Sequence, residues 1–461
     1  MAVCPVRTYF NWYDKLPFVA PKRASFDVRS IAVTSMKFII GKSDALHRLA
    51  GISLGLAAPA LVLGKTLIFA SLILPVLVIF LDIIQTRKMP STLYAKNHRW
   101  LFWLTAITAC SWLFSCIISN EVSKSLATWA RTIALIPFFL TILELLRINR
   151  NIHELTLKTL ICSYAIVLFI ANFSLYIDDF IYELYASAFK SEIVSQFFQI
   201  SPVLLQMLKP YYSVAACTLP VALWAGVRFG GLWKGIAILC VPLTLTLLYG
   251  NGQQPGMSAT FGVIAGISAF FIIIVLRGMS QRTVNFICIL VVLCACASAV
   301  FILSNLPVPP VLPEPAPKIP IPDWHRQVIW GFTFDVGMQH PWFGVGPNTI
   351  NLSPGASDII PGMNQEYVPS HPHNWILEIF SETGFFGIFL LISLLSVFVC
   401  MLFERAKNKN QAAIASIVVL ASFLCSSLGN FSIWSVWWLA VLGLLLSLPL
   451  AVINKEHEVD N

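Results

Sequence analysis

His371 and His373 stand two residues apart where a polar, proline-rich stretch runs into a long apolar one. A neutral imidazole has an ordinary pKa of about 6.5, which suits it to take a proton at neutral pH. His373 is therefore the candidate general base, and Asn374 beside it is placed to hold the loop or a sugar. The plainer reading of a lone histidine is a capping or structural residue. His371, kept out of helical geometry by Pro372, fits that reading better. Helical spacing from His373 sets Leu377, Phe380 and Gly384 on one stripe and Asn374, Glu378 and Glu382 on a polar neighbour. The imidazole would then stand in a first helical turn, whose free N–H groups favour an anion.

Arg326 is the cation whose planar fork suits phosphate oxygens. Its plainer alternatives are a pair with Asp323 or a charge snorkelling to the interface. Asp323 is the expected N-cap of a helix running to about His340. Arg131, roughly one turn inside a span, and Lys209, ahead of Pro210-Tyr211-Tyr212, are further candidate anion ligands. His371 and His373 have metal-ligand spacing, with Asp335, Asp358 and Glu366 in the same loop. No closed set of three or four ligands emerges, so no metal site and no cofactor is expected. The eleven cysteines lie mostly inside apolar runs, as Cys110, Cys116, Cys294 and Cys296 do, and read as small hydrophobes.

The elements that must hold these residues are set by composition. Of 461 residues, 57% are hydrophobic and 11% charged, less than half the charge of an ordinary soluble domain. Continuous apolar runs recur at lengths that cross a hydrocarbon core of about 30 Å. The chain is thus an all-α polytopic membrane protein forming a single membrane domain over 1–461. Twelve spans are expected, at 49–64, 66–84, 101–119, 126–146, 159–176, 212–227, 235–249, 259–276, 286–304, 376–403, 411–429 and 434–453. The tenth includes an entry helix at the surface. The basic segment 1–48 lacks the apolar core and cleavage site of a secretory signal.

Counting Lys and Arg orients the spans. Of the 30, 23 fall in 1–48, the 454–461 tail and every second link; Lys65, Lys124, Arg131, Lys190, Lys209, Lys318 and Arg326 make up the rest. The positive-inside rule then puts both termini in the cytoplasm. The net charge of +8 is a topology signal, and nucleic acid is not an expected partner. Two outer segments are long: 177–211, read as short surface helices, and 305–372. The latter begins with eight prolines between Leu306 and Pro322, a stiff extended strap, and continues into a part expected to fold on the bundle.

Arg326-x-x-x-Trp330, His340-Pro341-Trp342-Phe343-Gly344-Val345-Gly346-Pro347, His373-Asn374-x-x-Leu377 and Gly384-x-x-Gly387 together resemble the O-antigen ligase and polymerase superfamily of bacterial cell envelopes. The resemblance is strongest to O-antigen ligase. It implies a metal-independent membrane glycosyltransferase of the inner membrane, with its cavity open to the periplasm. The implied donor is a glycan on undecaprenyl diphosphate. The implied acceptor is a sugar hydroxyl of lipid A–core in a ligase, or a second lipid-linked repeat in a polymerase. The family's histidine falls on His373 and one of its arginines on Arg326. Where relatives carry Ser-Arg-Gly, this chain has Gly256-Met257-Ser258-Ala259-Thr260-Phe261-Gly262, without an arginine; Lys209 or Arg131 is the expected substitute. A transporter or flippase would instead place polar groups near the midplane or show an internal repeat, and neither pattern is present. A transferase of oligosaccharide to protein would differ in its acceptor alone.

Overall fold

Hydropathy and helix breakers divide the chain into its elements. A computed structural model describes residues 44–86, 99–177, 183, 204–249, 256–307 and 323–453. Within these the regular structure is helical: α1 (Asp44–Ala57), α2 (Leu67–Thr86), α3 (Arg99–Ile117), α4 (Val122–Ile148), α5 (Arg150–Tyr176), α6 (Leu204–Phe229) and α7 (Gly231–Tyr249). They are followed by α8 (Met257–Leu276), α9 (Gln281–Ser304), α10 (Trp324–Gln339), α11 (Trp375–Lys407), α12 (Gln411–Ser426) and α13 (Val436–Leu450). Eight of these helices are long and apolar enough to cross a membrane, and four shorter apolar ones occupy the remaining expected positions. The chain is a multi-pass, all-α membrane protein.

The close join between the first two expected spans is real. Pro59–Leu63 forms a 3-10 turn, and Gly64, at φ 134°, reverses the chain ahead of Lys65. The strap after Pro307, most of 177–211, the basic N-terminus before Asp44 and the tail after Ile453 lie outside the described residues.

The core sits where α6, α12 and α13 are wrapped by α5, α8 and α11; Tyr164, Tyr211, Phe423 and Trp438 are fully enclosed. α9 is apolar all round with none of its membrane-length window buried, as suits a helix bathed in lipid. α10 is different. It begins at Asp323, whose Oδ1 accepts the Arg326 N–H at 3.0 Å, and ends at His340. With the following loop it builds a small second core of Val328, Ile329, Phe332, Val336, Ile350, Ile360 and Tyr367. The part of the long loop expected to fold does so.

α11 is broken once. Gly384 has φ 68° and ψ −172°, a region open to glycine and costly for other residues. Into this break the 340–346 loop inserts and trades backbone bonds with the helix. Val345 N–H donates to the Ser381 carbonyl at 3.0 Å, and Gly346 N–H to that of Glu382 at 2.9 Å. In return Phe385 N–H donates to the Pro341 carbonyl at 2.7 Å and Phe386 N–H to that of Trp342 at 3.4 Å. The break divides α11 into a short segment, 375–383, and a longer apolar one.

Candidate functional site

The two histidines converge on one acceptor. His373 Nδ1 lies 2.6 Å and His371 Nε2 3.1 Å from the carbonyl oxygen of Asn430. A carbonyl only accepts, so each of these nitrogens carries a proton. In neutral His373 the free lone pair is therefore on Nε2. In His371 it is on Nδ1, which accepts from the Ser370 hydroxyl at 2.9 Å. His371 is thus used at both nitrogens, whereas His373 keeps an unprotonated nitrogen. The rings lie 4.1 Å apart between centroids. Burial, followed by the charges of His371, Arg326 and Lys209, drives the His373 pKa down to about 3, so it is neutral at pH 7. His371 is lowered too, by burial and by Lys209 and Lys65.

Local structure differs from the spacing argument at one point. His373 precedes the helix, with φ 54°, and Asn374 is the N-cap. The Asn374 Oδ1 accepts from Ile376 N–H at 3.1 Å and Leu377 N–H at 3.3 Å. Those N–H groups are committed to the cap, so they do not form the open anion nest expected from a helix starting at His373. Asn374 therefore holds the loop, and its side chain is buried.

Arg326 and Trp330 lie one turn apart on α10, and both face this loop. The Trp330 indole donates to the Pro372 carbonyl at 2.9 Å. The Arg326 guanidinium passes Gly429, where an added Cβ would stand 3.6 Å from Nη1. Asp323 is 3.6 Å from Arg326 Nε, but it is 63% exposed and makes an i,i+3 surface contact, which is worth little in water. Lys209 enters from α6, near enough for its charge to act on both histidines. Lys65, from the α1–α2 link, is pushed below the ordinary lysine range by burial and by Lys209. Cations from three elements thus bear on the histidine pair, Arg326 on His373, Lys65 on His371 and Lys209 on both, a balance of charge suited to a multiply charged anion.

Arg131 takes a different place. Its guanidinium bonds the Ala127 carbonyl and Thr128 Oγ1 of its own helix, α4. The Asn348 side chain reaches the same Thr128 hydroxyl at 3.4 Å. The structure brings Lys209, Arg326, His373 and Asn374 together and sets Arg131 beside the Asn348 turn. Ser258, in the stretch that lacks an arginine, donates to the Gly429 carbonyl at 2.7 Å and so supports the floor beneath Arg326. Among the described residues, no group of three or more His, Cys, Asp and Glu could hold a metal ion.

Sequence reasoning missed Asn430, Ser213 and Lys65. Asn430 Nδ2 donates to Ser213 Oγ of α6 at 2.5 Å, which ties the acceptor turn to the Lys209 helix. A lone Asn between apolar runs gives little notice of this. Glu378 and Glu382, read only as a polar stripe, are fully buried. Glu378 accepts from Ser432 Oγ and from Ile433 N–H; Glu382 accepts from Asn348 N–H, Ile350 N–H and the Trp434 indole.

The bundle thus carries an imidazole pair and cations from separate elements at one place. The comparisons are more specific. Residues 323–392 match the family model described as O-Antigen ligase. A Rickettsia conorii protein named "Putative polysaccharide ligase" is 26% identical over 140 residues, 30% of this chain and 34% of the relative. Relatives of the same description from Rickettsia felis and Rickettsia prowazekii are 26% and 25% identical over the same shares. The matched region thus spans 34% of the length of these curated relatives. These matches support the resemblance to the O-antigen ligase superfamily that the motifs carry, over the region that holds them.

Proposed function

We propose that the protein is an O-antigen ligase-type glycosyltransferase. It transfers a glycan from undecaprenyl diphosphate to a sugar hydroxyl of lipid A–core at the periplasmic face of a bacterial inner membrane, with both termini cytoplasmic and without a metal. The observation that carries this reading is the bond from His373 Nδ1 to the Asn430 carbonyl, which leaves Nε2 unprotonated on a ring within reach of the Arg326 and Lys209 charges. Nε2 removes the proton of the acceptor hydroxyl. The oxygen forms a bond to the anomeric carbon as that carbon's bond to the diphosphate oxygen breaks. Undecaprenyl diphosphate departs with the electron pair. Arg326 and Lys209 stabilise the charge that grows on the leaving group. Arg131, on α4 beside the Asn348 turn, is left to a contact farther along the substrate.

The experiment is reconstitution with a lipid-diphosphate glycan and purified lipid A–core, scored by product mass. His373→Ala abolishes transfer while the protein still folds and inserts, a loss on the order of 100-fold or more. Arg326→Ala loses transfer, and Arg326→Lys keeps part of it because the fork is gone. Normal transfer by His373→Ala removes the imidazole from the chemistry. Repeats lengthened on the lipid carrier, in place of a single transfer to lipid A–core, would make the protein a polymerase of the same chemistry.

A further inference from the structure

The carbonyl that sets the His373 tautomer is itself held from elsewhere. Asn430 opens a turn that runs to Trp434, and this turn is fastened to α11 by two buried carboxylates one helical turn apart. Glu378 accepts from Ser432 Oγ at 2.5 Å and from Ile433 N–H at 2.9 Å. Glu382 accepts from the Trp434 indole. Within the turn, Ser432 Oγ also accepts the Trp434 N–H at 3.1 Å. Glu378 N–H in turn donates to the Asn374 carbonyl at 2.9 Å, closing the first turn of α11 directly after His373. A ring of contacts results: His373, Asn374, Glu378, the Ser432–Ile433 pair, Asn430 and back to His373. Both carboxyl oxygens of Glu378 are thereby used as acceptors, Oε1 from the hydroxyl of Ser432 and Oε2 from the N–H of Ile433.

We infer that Glu378 is a positioning residue for the base: through Ser432 and Ile433 it fixes the turn whose Asn430 carbonyl keeps the proton on Nδ1 of His373. The inference rests on the reading of His373 as the base. If the turn is released, the carbonyl withdraws and the neutral imidazole can carry its proton on Nε2. In that tautomer it cannot accept from the acceptor hydroxyl. Glu382 fastens the same turn but also bonds Asn348 and Ile350, so its loss would disturb two loops. Glu378 is the cleaner probe.

The test uses the full-length protein in bilayers. Transfer kinetics are measured with a lipid-diphosphate glycan and lipid A–core, and nitrogen NMR of labelled histidine reads the His373 tautomer. Glu378→Ala is expected to lower kcat about 10- to 100-fold with the donor KM held within about twofold. The His373 signal should pass from one Nδ1–H form to a mixture. Glu378→Gln should recover most of both, because an amide oxygen still accepts from Ile433 N–H and Ser432 can turn to accept from the amide. Ser432→Ala removes a single hydroxyl and should fall between the two; if Glu378→Ala does not fold, this variant carries the test. A pure Nδ1–H signal in the folded Glu378→Ala or Ser432→Ala protein overturns the inference, as does Glu378→Gln being as damaging as Glu378→Ala. A mixed tautomer with undiminished transfer leaves the hold of Glu378 standing and sinks the base role of His373 instead.

Discussion

At the residue scale, the proposed base owes its character to groups that no single motif contains. His373 is neutral at pH 7 because burial and the His371, Arg326 and Lys209 charges disfavour its protonated form. The sign of the consequence follows. The unfolded imidazole titrates at about 6.5, and the folded one at about 3. Between those values the unfolded chain binds more protons, so stability falls as pH drops through this window and is unaffected by this group above it. For catalysis, the acid limb of kcat/KM, which reports the free enzyme, should lie well below pH 6.5. A bound diphosphate offsets Arg326 and Lys209, so the acid limb of kcat should lie above that of kcat/KM. Arg326→Gln removes one depressing charge and should move the kcat/KM limb upward. Coincident limbs that ignore Arg326→Gln would show that these charges do not act on the rate-determining base. The proposal of His373 over His371 starts from Pro372 and the following apolar run, and the bonds at both nitrogens of His371 support it. The tautomer was not legible in the sequence, because its determinant, the Asn430 carbonyl, lies 57 residues along the chain and is a backbone atom.

At the element scale, the glycines that carry the motif resemblance are explained by one join. Gly344, at φ 67°, lies against the backbone of Glu382 and Thr383, and Gly384, at φ 68°, against that of Trp342. A side chain at either would enter the partner's main chain. This mutual approach permits the four exchanged backbone bonds, and it fixes where the entry segment of α11 ends and the span begins. The sequence showed a glycine pair at each location and a helix long enough to cross; the reciprocal insertion was not visible, since backbone exchange between distant segments leaves no periodicity. Gly384→Ala should therefore cost about 1–3 kcal/mol in backbone strain alone, with more from the displaced 340–346 loop. The expected result is a lower unfolding temperature in detergent and loss of transfer, while a control substitution on the lipid-facing side of the same helix, Phe389→Leu, leaves both close to the wild type. Equal melting of Gly384→Ala and the wild type would show that the break tolerates a side chain and that the join does not brace the base.

At the scale of the whole molecule, the contacts sort the interhelical links into two sets. Lys65 before α2, Ser119 and Ser125 around the start of α4, Lys209 and Ser213 in the first turns of α6, Ser258 opening α8, the 340–374 loop and the 430–434 turn are joined to one another. A second set lies at the opposite helix ends. His153 meets the Leu448 carbonyl, Lys158 stands over Phe229 and Trp233, Lys407 bonds Gln281, and Asn410 bonds the Ile453 carbonyl. The expected alternation of crossings would produce this division, because it sends every second link to the same end. Hydropathy located eight helices of membrane length and four shorter apolar ones, even where two of them are separated by the turn at Gly64 and Lys65. Which end faces out rests on the excess of Lys and Arg in the second set, at 23 of 30 with the termini included. That assignment decides whether the histidine pair meets periplasmic acceptors at all. Asn120, in the α3–α4 link, and Lys409, in the α11–α12 link, are both exposed and belong to opposite sets. In a background with the accessible native cysteines replaced, Asn120→Cys should react with a membrane-impermeant maleimide in intact spheroplasts. Lys409→Cys should react only after lysis. The reverse pattern would turn the molecule over and place the base in the cytoplasm. Labelling of both from one side would break the alternation and with it the twelve-crossing arrangement.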